Sequence, residues 1–213
     1  MVDTLRAQRT PRATALAAAI SVMFVFLLRI SEIAQTSVKR GLSAAYLRHG
    51  DVQFTADQGN LRVGIDLRDT KSDPFSLVAR SLPSVARNDI YDIMHRVHSD
   101  NVDLARRRNY TEQQLNEMPF ININGVPLER ADVADTIKNI LSSPEAPAGL
   151  PDPARYSTHS LRKGGATELL RMGIDIATIK FLGRWKSMAW LLYAHVSDDC
   201  LNRAGSVMAA VLL

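Results

Sequence analysis

The sequence predicts a mostly helical α+β domain with a small three-stranded antiparallel sheet. Three observations lead there. A long apolar run near the start has helical length, three short alternating runs in the first hundred residues have strand character, and helical patterns fill the remainder. With 213 residues, 46% hydrophobic and 23% charged, the chain can bury a sizeable core and is too ordinary in composition to be disordered.

Residues 1–12 read as an N-terminal tail and 13–213 as a single domain. The run "ATALAAAISVMFVFLL", Ala13 to Leu28, carries no charge between Arg12 and Arg29. It falls short of the roughly 20 residues a spanning helix needs. The following "RISEI" continues the helical spacing instead of offering a signal-peptide cleavage site, so one buried helix is expected from Ala13 to about Thr36. A membrane anchor over Ala13 to Leu28 is the competing reading.

"DVQFT", "LRVGIDLRDTK" and "FSLVARSLP", separated by "ADQGN" and "SDP", predict three antiparallel strands with a hairpin tip at Ser72 to Pro74. Helix returns from Val85 to about Val97, with Ser84 as a candidate N-cap. The basic "RRRN" after it reads as a solvated helix end or loop. "VPLERADVADTIKNILSS" predicts another helix, and "PEAPAGLPDP", with four prolines, a loop within the domain. Helices resume at "HSLRKGGATELLRMG", stopped by Gly173, then at "DIATIKFLG" and "SMAWLLYAHV".

Charge narrows the function. The net +4 makes nucleic acid a candidate partner, and the charge is concentrated: Arg155 to Lys186 holds seven basic residues against Glu168 and Asp175. The single Cys200 rules out an internal disulfide framework and fits a reducing compartment. "HRVH", His95 and His98, lacks an obvious third metal ligand and reads as a solvated helix face.

The chemistry-bearing stretch is "HSLRKGG". His159 and Arg162, three apart at a helix start, project from one face, where an imidazole can move a proton and a guanidinium can match two phosphate oxygens. A capping histidine beside a surface arginine would look the same. Gly164 and Gly165 weaken a helix by about 1 kcal/mol each relative to Ala, so something approaches closely there: a packed helix, or a DNA backbone or neighbouring catalytic strand.

"THSLRKGGAT" followed by "GIDIATIKFLGRWKSMAWLLYAHV" resembles the C-terminal half of a tyrosine recombinase (phage integrase family) catalytic domain, and the "GRW" form is most similar to recombinases of DIRS-type and crypton mobile elements. The resemblance covers roughly Ala13 to Val196. It implies six catalytic residues around one DNA phosphate: Arg29, Lys71, His159, Arg162, Trp185 and Tyr193, with Glu32 orienting Arg29 and with Lys163, Arg184 and Lys186 contacting DNA. It implies that the two arginines clamp the phosphate, Tyr193 attacks it to give a 3′-phosphotyrosyl link, His159 assists proton transfer and Lys71 protonates the leaving 5′-oxygen. Trp185 would donate its indole N–H or buttress the tyrosine helix.

No metal or small-molecule cofactor is implied. The expected partners are double-stranded DNA and further copies of the chain, as a tetramer on DNA, with no membrane. The expected setting is intracellular and DNA-associated, nuclear in a eukaryote and in the cytoplasm or nucleoid of a prokaryote.

Two departures from the family pattern stand out. Trp185 and Tyr193 lie eight apart, one fewer than in many bacterial and phage members. Only about a dozen residues precede the first catalytic helix, so the N-terminal DNA-binding domain is expected to be absent and DNA binding weak and salt-sensitive. Type IB topoisomerase-like relaxation and a non-catalytic DNA-binding protein are the alternative functions.

Overall fold

The computed structural model describes residues 1–35, 46–57, 60–67, 80–84, 90–185 and 191. Lys71, the hairpin tip Ser72 to Pro74, Lys186, the helix expected at "SMAWLLYAHV" with Tyr193, and Cys200 lie outside the described residues.

The expected tail is instead a short helix, α1 (Val2–Ala7), whose Leu5 is buried. The apolar run forms α2 (Pro11–Val25), opened by the Thr10 hydroxyl accepting from the Ala13 amide and by proline at the first helical position. Because α2 is apolar all round, it takes the centre of the domain, contacting α1, α3 (Ile90–Arg107), α5 (Arg130–Leu141) and α6 (Thr158–Arg171). Ala17, Ala18, Ala19 and Val22 are fully buried, their small side chains letting neighbouring helices approach. The run is thus core. Among the described residues no helix is long and apolar enough to cross a membrane.

The long helix expected to reach Thr36 stops at Phe26. Leu27 turns left-handed at φ 52°, Leu28 stays buried, and a single 3-10 turn follows at Ile30–Glu32. Apolar spacing persists through this break because Phe26, Leu27, Leu28 and Ile33 are buried as irregular chain. Periodicity reports burial here, not helix.

Small antiparallel sheets complete the fold. β1 (Val52–Asp57), β2 (Asn60–Ile65) and β3 (Arg80–Ser84) pair in that order, with Val52 opposite Ile65 and Val63 opposite Leu82. A second, two-stranded sheet, β4 (Asn122–Ile123) with β5 (Val126–Pro127), was not expected. Ser84 is the last described residue of β3, residues 85–89 with the expected start of the helix lie outside the described residues, and α3 runs on past Val97 to Arg107, taking in part of "RRRN". A short helix, α4 (Glu112–Glu117), follows; α5, α6 and α7 (Ile176–Gly183) stand where the sequence puts helices. Gly173 stops α6 at φ 83°.

His98 is not on a solvated face. It stacks on His49 with ring centroids 4.3 Å apart, and Phe54 meets it edge-on at 5.2 Å. Among the described residues no group of three or more His, Cys, Asp or Glu is placed to hold a metal ion. Burial first, and the charge of His98 second, push His49 down to about 4. The unfolded chain therefore takes up a proton at His49 that the folded chain refuses. Stability is full above about pH 6.5 and falls as the pH drops from there towards 4, by at most about 3 kcal/mol. Urea midpoints at pH 7.5 and pH 5 measure this fall, and His49→Phe is expected to flatten it.

Candidate active site

Two chain breaks and one helix build the site: the turn after α2 carries Arg29 and Glu32, the first turns of α6 carry His159, Arg162 and Lys163, and the end of α7 carries Arg184 and Trp185. They meet because α6 lies against the C-terminal end of α2. A Cβ on Gly165 would overlap the Phe24 carbonyl oxygen and stand 2.7 Å from Leu27 Cδ2, whereas one on Gly164 would only touch the Phe24 ring at 3.4 Å. Gly165 answers to helix packing, and no DNA strand need be invoked for it.

Arg162 is 1% exposed. Its Nη2 donates to the Gly183 carbonyl oxygen, and its guanidinium carbon stands 4.7 Å from the centre of the Trp185 ring. A guanidinium over an indole face is attracted by the ring's negative face, more strongly once dehydrated. Trp185, 8% exposed, folds back across Gly183, where any Cβ would collide with the indole ring. Trp185 thus supports Arg162 directly.

Arg29 and Glu32 pair as expected, with Arg29 Nη1 3.2 Å from Glu32 Oε1, and the Arg29 amide donates to Oε2 at 2.7 Å. The carboxylate is almost fully buried, while 38% of the Arg29 side chain is exposed. Glu32 holds a second arginine. Arg184 Nη2 lies 2.6 Å from Glu32 Oε2, with its side chain 2% exposed. Expected to face DNA, Arg184 is instead an interior residue, sealed between the two loops.

His159 is exposed on α6. The protein beneath the ring dehydrates one side of it, and Arg162, Arg29, Lys163 and Arg130 add positive potential; both effects lower its pKa below the ordinary histidine value. The imidazole is therefore neutral at neutral pH and able to accept a proton. Arg130 was missed from the sequence. Its signal was an arginine in the first turn of α5, beside the positive end of the helix dipole, where cations are disfavoured.

The structure thus brings together Arg29, Glu32, His159, Arg162 and Trp185, places Lys163 half-buried beside them, and turns Arg184 inward. Lys71, Lys186 and Tyr193 fall outside the described residues.

Among solved structures, XerH site-specific recombinase bound to palindromic difH substrate in a post-cleavage complex is 18% identical, with a TM-score of 0.59 over 98% of this chain and 50% of that one. The pre-cleavage XerH complex gives 17% identity and 0.54, over 97% and 51%. The Tn1549 transposon integrase in complex with transposon right end DNA gives 20% and 0.48, over 91% and 58%. The chain spans between half and three-fifths of these proteins, and the XerH likeness bears on fold alone. No curated protein matches the sequence. The model of the phage integrase family, however, matches residues 1–199, almost the entire length and every residue of the site just described, and the chain belongs to that family.

Proposed function

We propose that the chain cleaves and rejoins DNA strands site-specifically through a 3′-phosphotyrosyl intermediate, as the recombinase of a mobile element of the DIRS or crypton type. The observation that carries this reading is the convergence of Arg29, His159 and Arg162 on one cationic site within a phage integrase family domain. Such a site suits a phosphodiester, because fixed guanidinium donors stabilise the charge that builds on the non-bridging oxygens in the transition state.

In the proposed reaction the Tyr193 phenol oxygen bonds to phosphorus, its proton passing to neutral His159, while the bond to the 5′-oxygen breaks and Lys71 protonates that oxygen. Attack by another strand's 5′-hydroxyl reverses the step. The phosphotyrosine conserves the bond energy, so neither nucleotide nor metal is consumed. Lys163 and Lys186 are proposed to contact the DNA backbone, and copies of the chain to assemble on DNA. The nucleus of a eukaryotic host, or the nucleoid of a prokaryotic one, is the proposed place of action.

Nicked suicide duplexes of randomised sequence, followed by denaturing electrophoresis, test the reading. A covalent protein–DNA adduct is expected with the unaltered chain and none with Tyr193→Phe. An adduct that survives the substitution overturns the nucleophile assignment, and its absence from every duplex overturns strand cleavage.

A further inference from the structure

Arg184 is an arginine in a basic segment that the structure buries. Its backbone is left-handed, at φ 56°, a conformation that costs a non-glycine residue about 1 kcal/mol or more. Its Nη2 bridges two acceptors, Glu32 Oε2 at 2.6 Å and the Leu27 carbonyl oxygen at 3.3 Å. Leu27 is itself left-handed at φ 52°. Two strained residues, 157 apart in sequence, are therefore tied by one hydrogen bond directly above the carboxylate that holds Arg29. Strain of this kind persists where surrounding contacts over-determine the conformation, and such places cluster at functional sites.

The consequence lies in how Glu32 divides its oxygens. Oε2 is occupied by Arg184 and by the Arg29 amide, which leaves Oε1 for the Arg29 guanidinium at 3.2 Å, a long contact for a charged pair. Remove Arg184 and, among the described residues, Arg29 is the cation left paired with this nearly buried carboxylate. Its strongest remaining option is to draw Arg29 into a bidentate pair.

We infer that Arg184 is a positioning residue: by sharing Glu32 it keeps the carboxylate from capturing the Arg29 guanidinium, so that Arg29 stays available to an incoming phosphate. This rests on the strand-cleavage reading for its purpose, but the geometry it asserts belongs to the DNA-free protein.

Two measurements test it on the 213-residue chain. The first is the rate at which phenylglyoxal modifies Arg29 without DNA, read by peptide mass spectrometry. Arg184→Met is expected to slow it at least about fivefold, and Arg184→Met with Glu32→Gln to restore it, because a neutral amide does not capture a guanidinium. The second is the single-turnover rate of adduct formation on nicked DNA. Arg184→Met is expected to lower it by about 10- to 100-fold with DNA affinity little changed.

A purely structural role predicts the opposite order, with the double variant no better than the single. Unchanged Arg29 reactivity in Arg184→Met, or no recovery in the double variant, overturns the inference. Should Arg184→Met fail to fold, Arg184→Lys carries the same comparison: it keeps a positive charge beside Glu32, and Arg29 reactivity near that of the unaltered chain is expected, a slowing of about fivefold or more being the contrary result. If the unaltered chain forms no adduct, the cleavage reading fails while the modification arm still decides the geometry.

Discussion

Gly165→Ala is expected to lower the melting temperature by about 5–10 °C, while Gly164→Ala, one residue earlier on the same helix, raises it by about 2–4 °C. Both substitutions add a methyl group to α6 and both gain about 1 kcal/mol of helix propensity. What separates them is the neighbour. The new methyl at 164 meets the Phe24 ring at an ordinary 3.4 Å, but at 165 it meets the Phe24 carbonyl oxygen and Leu27 Cδ2. A ring can shift, whereas a carbonyl fixed in the last turn of a buried helix moves only with its backbone. Forcing α6 from α2 costs more than the propensity gained, for a net loss of about 2–3 kcal/mol. Thermal unfolding by circular dichroism checks the pair, and equal signs would remove Gly165 as the point of closest approach. Because α6 carries His159 and Arg162 while Leu27 precedes Arg29, the same displacement is expected to separate the two halves of the site.

That glycine pair was visible in the sequence as a cost without a cause, and the structure supplies the cause at one of the two positions. Other features were legible for simple physical reasons. The apolar run had to be buried, the proline-rich loop had to break a helix, and the HxxR spacing put His159 and Arg162 near one face. The two-stranded sheet was legible too, through Asn124-Gly125, a turn pair with φ 55° and 86° that suits a two-residue hairpin.

What the sequence hid depends on distant partners. The helix break at Leu27 has no local signature, since Leu is a good helix former and both sides of the break are apolar. Arg184 stands in the most basic segment of the chain, where composition argues for an exposed side chain. Its burial follows from Glu32, 152 residues away, and nothing between them announces the pairing. The stacking of His98 on His49 is hidden in the same way, because the two histidines come from different elements.

Glu32→Ala is expected to destabilise the protein by about 3–5 kcal/mol, or about 6–20 °C in melting temperature, and to do so equally at low and high salt. The comparison that gives this force is Glu168, whose Oε1 lies 2.6 Å from Arg171 Nη2, the same distance as Glu32 Oε2 from Arg184 Nη2. Equal length does not mean equal worth. Glu168 and Arg171 keep 40% and 50% of their side-chain surface in water, so each ion loses little hydration when paired and regains it when the partner goes. Glu168→Ala should leave the melting temperature essentially unchanged. Glu32 and Arg184 are 3% and 2% exposed, and deleting the carboxylate strands a guanidinium that water cannot reach and mobile ions cannot screen. Glu32→Gln keeps an acceptor oxygen without the charge and is expected to fall between the two. Melting curves at 50 mM and 500 mM salt decide the matter: a deficit for Glu32→Ala that vanishes in high salt would mean the pair is solvated, and the two loops that carry Arg29 and Trp185 would have to be held together by something else.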